Sequence, residues 1–273
     1  MSDNNNISVA CAQFLPRFGD LSYNLKRIEE LTVKTDTHLI VFPELCTSGY
    51  EFRDGDEVRA LAFAVPESSP YERLINLSVK EKKFLVIGFP EKAGDKVFNS
   101  CALLTPKGES FVYRKIHLFD REKLLFFPGD KDLEVVKTEI GNIGLMICFD
   151  WAFPEVARVL TLMGAHILCH PSNLVLQYCQ RAMFARSVEN GVYSLTANRI
   201  GTEERVGRRM TFTGASQILS PKGEILAQAS PDQEEVISAT IDPYLAENKM
   251  LTSNNHLIQD RRTQFYRALI HHQ

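Results

Sequence analysis

Strand-like and helix-like runs alternate along this chain from one end to the other, and this alternation constrains the fold more than any other feature. "ISVACAQF" (7–14) reads as a buried strand, and "LSYNLKRIEELTVK" (21–34) repeats apolar residues at helical spacing. "HLIVFPEL" (38–45) is a strand again. Ser69-Pro70 then caps a helix over "YERLINLSVKEK" (71–82), because a serine hydroxyl satisfies free N–H groups and proline suits the first turn. "KFLVIGF" (83–89) is a strand. "FNSCALLTPKGESFVYRK" (98–115) is two β-runs around a Pro-Lys-Gly turn, and "TGASQILSPKGEILAQAS" (213–230) repeats that hairpin with the same turn. Between them lie strands at 141–148, 165–172 and 192–200, with helices at 154–164 and 180–191. "EVISATID" (235–242) closes the sheet region. The repeated hairpin points to two sheets of similar construction packed together.

No linker, low-complexity tract or composition break divides the 273 residues, so one α/β domain is expected over 1–273, with a core of about 7–242 and a polar tail over 243–273. A net charge of −3 gives no argument for nucleic acid or an anionic membrane as partner. The basic stretch Arg205–Arg209 reads as a solvated loop. No apolar run approaches the roughly 20 residues that cross a bilayer, and the N-terminus lacks the pattern of a secretory signal. The six cysteines are scattered, mostly inside apolar strands, without a C-x-x-C pair. That fits reduced thiols in a cytoplasmic protein.

Three polar residues stand where buried runs stop: Glu44 after "LIVFP", Lys115 after "FVYR" and Cys148 after "GLMI". Strand ends are where ligands bind in α/β sheets. Singly, each has an ordinary structural reading as a core thiol, a turn carboxylate or a solvated amine. Together they form a chemically complete set. A thiol attacks a carbonyl only as thiolate and needs a base or a cation beside it. A glutamate takes that proton and later passes one to a departing amine. A lysine stabilises the developing oxyanion. "HILCHPSN" also places His166, Cys169 and His170 close together, but strand alternation puts Cys169 on the opposite face from the two histidines, and no fourth ligand has a supportive spacing. No metal is expected.

"VFPELCTSGY", "YRKIHLFDREKLLFFPGD" and "GLMICFDWAFPE" resemble the three signature stretches of the nitrilase, or carbon–nitrogen hydrolase, superfamily, in the same order and at matching spacings. The resemblance runs from about Ile7 to Arg262 and includes "HPSNLVLQYCQRAM" and "RSVENGVYSLTANRIG". It implies a four-layer α-β-β-α sandwich, commonly assembled as a homodimer, with no metal or organic cofactor. It also implies roles: Cys148 as nucleophile, Glu44 as general base, Lys115 as oxyanion cation, and Glu122 as a second glutamate beside the lysine. The Phe149 N–H would be the other oxyanion donor. Asp150 and Trp151 would line or brace the pocket, with Asn173 bordering the substrate mainly through its backbone. The turn that exposes the thiol follows the logic of a nucleophile elbow.

Within the superfamily, nitrilases tend to carry Cys-Trp-Glu, whereas Cys148-Phe149-Asp150 stands here and argues against a nitrile substrate. Acyltransferase members are membrane proteins, and synthetase-linked members carry a further domain. The resemblance is strongest to small free-standing amidases, which release ammonia from an amide through a thioester. An N-carbamoyl amine or amino acid amidohydrolase is the alternative. A reading of another class is an inactive scaffold of this fold that binds a ligand or partner. A redox-sensing Cys148 is a further one, since an activated, exposed thiol oxidises readily.

Overall fold

The structure, a computed structural model, describes residues 5–271. The first sheet is laid down by β1 (Ile7–Gln13), β2 (Leu39–Val41), β3 (Phe63–Ala64), β4 (Phe84–Ala93), β5 (Lys96–Leu104) and β6 (Ser110–Arg114). The second is built from β7 (Val135–Thr138), β8 (Gly141–Leu145), β9 (Ile167–Ser172) and β10 (Tyr193–Asn198). A separate two-stranded hairpin, β11 (Thr202–Arg205) and β12 (Arg208–Thr211), interrupts it before β13 (Gln217–Leu219) and β14 (Ile225–Gln228). The chain then returns to the first sheet as β15 (Glu235–Ile241), antiparallel to β1. The strand orders are β15-β1-β2-β4-β5-β6, with β3 beside β4, and β14-β13-β10-β9-β8-β7. Each sheet has a parallel centre, β1-β2-β4 and β8-β9-β10, flanked by antiparallel strands.

Alternation along the strands sorts the core into layers. Val9 and Cys11 of β1, and Leu39 and Val41 of β2, face the second sheet and meet Ile143, Ile167, Cys169, Leu195 and Ile218 there. Their neighbours Ala10, Ala12 and Ile40 face outward onto Leu25 and Ile28 of α1 (Leu21–Lys34). A short helix, α2 (Gly55–Leu61), precedes α3 (Ser69–Glu81), whose Tyr71, Leu74 and Leu77 join the same outer layer. After α4 (Glu122–Leu125), the second sheet is covered by α5 (Pro154–Leu162) and α6 (Cys179–Asn190), through Val156, Leu160 and Met183 against Met146 and Leu168. The result is the four-layer α-β-β-α sandwich.

The two Pro-Lys-Gly turns are near copies, one in each sheet. Thr105 N–H donates to Glu109 O, and Ser220 N–H to Glu224 O, both at 2.9 Å. The hydroxyls of Thr105 and Ser220 accept from the amides two and four residues on. Gly108 and Gly223 take φ of +83° and +82°, a conformation that glycine enters without a Cβ penalty.

Two local readings need correction. The helical N-cap is Ser68 rather than Ser69, and its hydroxyl donates to Ala64 O at 2.6 Å instead of capping. The stretch Arg205–Arg209 is the turn of the β11–β12 hairpin: its tip and Arg209 are exposed, but Arg205 pairs with Glu57 of α2 and Arg208 with Asp120, so two of its charges tie the hairpin to the body of the protein. In the tail, β16 (Met250–Thr252) and β17 (Asn255–His256) form a small hairpin, and α7 (Ala268–His271) is one short turn of helix. Among the described residues, no helix is long and apolar enough to cross a membrane.

Candidate active site

Glu44 sits just past β2, where the chain leaves the sheet. That loop presses on β4: a Cβ built on Gly88 would stand 2.6 Å from Leu45 N and Pro43 O and 2.7 Å from Glu44 Cα. The Cys46 thiol donates to Gly88 O at 3.3 Å, binding loop to strand. Lys115 follows β6, its backbone held from both sides by Lys115 N–H to Asn99 O and Gly129 N–H to Lys115 O, each 2.8 Å. Glu122 opens α4, and Cys148 opens a 3₁₀ turn over Cys148–Ala152. The Cys148 φ is +39°, left-handed for a non-glycine residue, which is a strained backbone of the kind found at functional turns.

These four side chains converge from different elements. Lys115 is fully enclosed, its side chain 0 % exposed. Its Nζ donates to Glu44 Oε1 at 2.6 Å and to Glu122 Oε1 at 2.8 Å. Asn99 Nδ2 also donates to Glu44 Oε1, at 2.7 Å. The Tyr50 hydroxyl donates to Glu122 Oε1 at 2.7 Å and the Phe119 N–H to Glu122 Oε2 at 3.0 Å. Burial pushes the Glu122 carboxyl up to about 7; Lys115 opposes the rise and Glu44 adds to it. Burial alone would weaken proton binding by Lys115, but Glu122 and Glu44 outweigh it and hold the ammonium above its ordinary value. Burial also pushes the Cys148 thiol well above its usual range, with Glu44 adding to the effect and Lys115 opposing it. The sulfur is also buried, at 6 % exposure, rather than the exposed thiol that the redox-sensing reading expects.

A second polar cluster braces the turn itself. Asp150, 0 % exposed, accepts from the Ile147 N–H at 2.8 Å and from the Tyr113 hydroxyl at 2.7 Å, both on Oδ2, while Oδ1 lies 2.8 Å from His117 Nδ1. The Cys148 carbonyl accepts from His170 Nε2 at 2.9 Å, and burial lowers the His170 imidazole to about 4, so the ring is neutral. His166 instead accepts from the Asn142 N–H, and Cys169 lies in the core between the sheets. Among the described residues, no group of three or more His, Cys, Asp or Glu is arranged to hold a metal.

Cys148, Phe149, Trp151 and Asn173 line one narrow cavity with Phe119, Leu174, Val175, Leu176 and Cys179. Trp151 meets Phe149 edge-on at 6.4 Å and Tyr178 at 5.8 Å. The Asn173 backbone, next to the Cys148 sulfur, opposes the upward push on its thiol. Sequence reasoning missed Tyr50, Asn99, Tyr113 and His117, which hold the charged groups in place. It also missed Gly88, whose signal was available: a glycine inside a buried strand marks close backbone approach.

A cavity-lining thiol with a carboxylate and an enclosed ammonium as its electrostatic neighbours defines a class of hydrolase, and the sequence bears this out. The Carbon-nitrogen hydrolase family model matches residues 8–249, and the chain belongs to that family, within the nitrilase superfamily. It is 41 % identical over 263 residues to a nitrilase of Pyrococcus abyssi, across 95 % of this chain and 99 % of the relative. An N-carbamoylputrescine amidase of Arabidopsis thaliana is 30 % identical over 275 residues, covering 92 % and 91 % of the two chains. The crystal structure of a carbon–nitrogen hydrolase from Helicobacter pylori G27 superimposes with a TM-score of 0.86 at 28 % identity, over 97 % of this chain and 98 % of that one.

Proposed function

We propose that this carbon–nitrogen hydrolase is an amidase that converts a small non-peptide amide to a carboxylic acid and ammonia through a thioester on Cys148. The observation that carries this reading is the enclosed Lys115 ammonium, hydrogen-bonded to Glu44 and Glu122 and electrostatically coupled to the Cys148 thiol. An ammonium has three N–H donors. Glu44 Oε1 takes one, and Glu122, with both oxygens 2.8 Å from Nζ, needs only one more, so the third can turn to an oxyanion when substrate arrives.

Glu44 Oε1 is taken by Lys115 and Asn99, so Oε2 is the oxygen that serves as base. As Cys148 Sγ bonds to the amide carbon, the thiol proton moves to Glu44. The carbonyl oxygen becomes an oxyanion, stabilised by Lys115 Nζ and the Phe149 N–H. When the C–N bond breaks, Glu44 returns its proton to the nitrogen, which leaves as ammonia. Water then attacks the thioester, Glu44 takes the water proton, and the C–S bond breaks to release acid and re-form the thiol. The upward push of burial on the Cys148 thiol suits this sequence, because its proton is transferred within the attack.

The cavity lining favours plain amides. Phe119, Phe149, Trp151, Leu174, Val175 and Leu176 are apolar, and Asn173 is neutral, so no lining side chain matches the charge of a carbamoyl amino acid or amine. The Arabidopsis relative supports carbamoyl hydrolysis as the second reading. The test is ammonia release from short aliphatic amides, N-carbamoyl compounds and nitriles, with Cys148→Ala as control. Release from amides, lost in the variant by about 10⁴-fold or more with the melting temperature retained, is the expected result. Release from carbamoyl compounds or nitriles alone would replace the amide assignment. A fully active Cys148→Ala would overturn the mechanism.

A further inference from the structure

Among the described residues, the largest fully buried side chain is Arg199, directly after β10, and it lies outside the reaction machinery described so far. Its Nη1 donates to Glu203 Oε1 at 2.5 Å, and Glu203 on β11 is itself only 7 % exposed. A buried ion pair adds little net stability over an apolar pair of the same volume. Its contacts are therefore the better guide to its role, and they lead to Tyr50.

Two successive backbone amides close on the Glu203 carboxylate: Tyr50 N–H at 3.2 Å to both oxygens, and Glu51 N–H at 2.7 Å to Oε2. This is the concave arrangement of consecutive amides that binds anions. Gly49 permits it, with φ +88° and no room for a side chain, since an added Cβ would lie 2.8 Å from Phe18 Cα and 3.1 Å from Glu203 Oε1. The Arg199 guanidinium carbon lies 4.1 Å over the Phe212 ring, and Phe212 packs edge-on against the Tyr50 ring at 5.8 Å. The pair thus fixes Tyr50 twice, by its backbone through Glu203 and by its ring through Phe212. The other end of Tyr50 donates to Glu122 Oε1 at 2.7 Å.

We propose that Arg199 and Glu203 are positioning residues for the reaction: they fix Tyr50, and Tyr50 holds the Glu122 carboxyl against Lys115. The groups facing Glu122 are Lys115 from the end of β6, Glu44 from the end of β2, Cys148 from the 3₁₀ turn and Tyr50. On the outer side, Arg121 is engaged by Glu51 and Arg208 by Asp120. Tyr50 is the one hydroxyl donor of this set, and a donor to a carboxylate favours its charged form. Losing or displacing it raises the pH at which Glu122 ionises.

The experiment is a double-mutant cycle with Tyr50→Phe, Glu203→Gln and the two combined. It measures kcat, KM, the pH profile of kcat and the melting temperature on the best amide of the panel. Tyr50→Phe is expected to lower kcat about tenfold, the effect of one hydrogen bond to a charged group, and to move the acidic limb upward in pH. Glu203→Gln is expected to move the same limb the same way. The combined variant should be no slower than Tyr50→Phe, although its melting temperature falls further. A Glu203→Gln enzyme with wild-type kcat and limb, merely less heat-stable, would reduce the pair to a fold brace and overturn the proposal. So would a combined variant whose losses multiply. If Glu203→Gln does not fold, the paired swap Arg199→Met with Glu203→Leu removes both charges, and a wild-type limb there overturns it equally. The proposal rests on Glu122 belonging to the reaction machinery. Alkylation of Cys148 by iodoacetamide against pH reads the same proton network without turnover. A wild type that hydrolyses no amide, yet shows the shifted alkylation profile in both single variants, would remove the amidase reading alone. An unshifted profile in Glu203→Gln would remove this one.

Discussion

Two polar clusters flank Cys148, both withdrawn from water, and they are built to opposite ends. Around Lys115, one buried oxygen is left over, Glu44 Oε2, and the Glu122 carboxyl is poised at about 7. Around Asp150, one oxygen takes the Ile147 N–H and the Tyr113 hydroxyl while the other meets His117. With both oxygens partnered, this carboxylate holds the backbone of the turn in place and has no bare oxygen like Glu44 Oε2. Burial alone therefore does not set the two clusters apart; the unpartnered oxygen of Glu44 does.

Removing the cation from the first cluster breaks this contrast most severely. Lys115→Met leaves Glu44 and Glu122 facing each other in a desolvated site, where both cannot stay ionised. Activity should fall about 10³-fold. Stability at pH 8 should drop by about 3–5 kcal/mol and recover substantially at pH 5, where a shared proton relieves the repulsion; denaturant melts at the two pH values measure this. Retained stability at pH 8 would mean that the carboxylates are not coupled through Lys115.

Glu122→Gln probes the poised group alone. It should cost about 10²-fold in kcat with a far smaller effect on the melting temperature. A large fall in melting temperature without a kinetic one would make Glu122 structural. A linkage effect should accompany it. The folded-state value, about 7, lies above the ordinary 4.5. The folded protein thus binds this proton more tightly than the unfolded chain, and its contribution to stability, complete below 4.5, is lost as pH rises toward 7. The glutamine variant should lack that part of the pH slope.

Tyr113→Phe tests the braced cluster and should do least. It removes one of several partners of Asp150, at about 1 kcal/mol of stability and with kcat changed only a fewfold. A loss approaching that of Glu122→Gln would show that the Asp150 cluster takes part in the reaction beyond bracing the turn.

Much of the architecture could be read from sequence because periodicity is a local signal. The helix read over 21–34 is α1 to the residue, and the repeated Pro-Lys-Gly hairpins fall one in each sheet. The convergence of Glu44, Lys115, Glu122 and Cys148 was legible only through three quoted stretches taken in order, since no spacing rule brings positions 44 and 148 together. The short elements were not legible. α2 and α4 are too brief to display a helical period, and β11–β12 is too polar to resemble a strand. The supporting partners were hidden for another reason. Tyr50 reaches Glu122 across 72 positions and Glu203 meets Tyr50 across 153, so only the folded sheets put them in contact.

Gly88 carries a consequence for anyone who would redesign this protein. The Glu44 carboxylate is seated by a missing atom: the loop bearing it lies where any side chain at 88 would begin. A saturation library scored for activity should therefore find position 88 nearly as intolerant as position 148, although residue 88 meets no substrate. A designer who altered only the cavity wall would be free to enlarge it. One who altered β4 would misplace Glu44 before reaching the pocket.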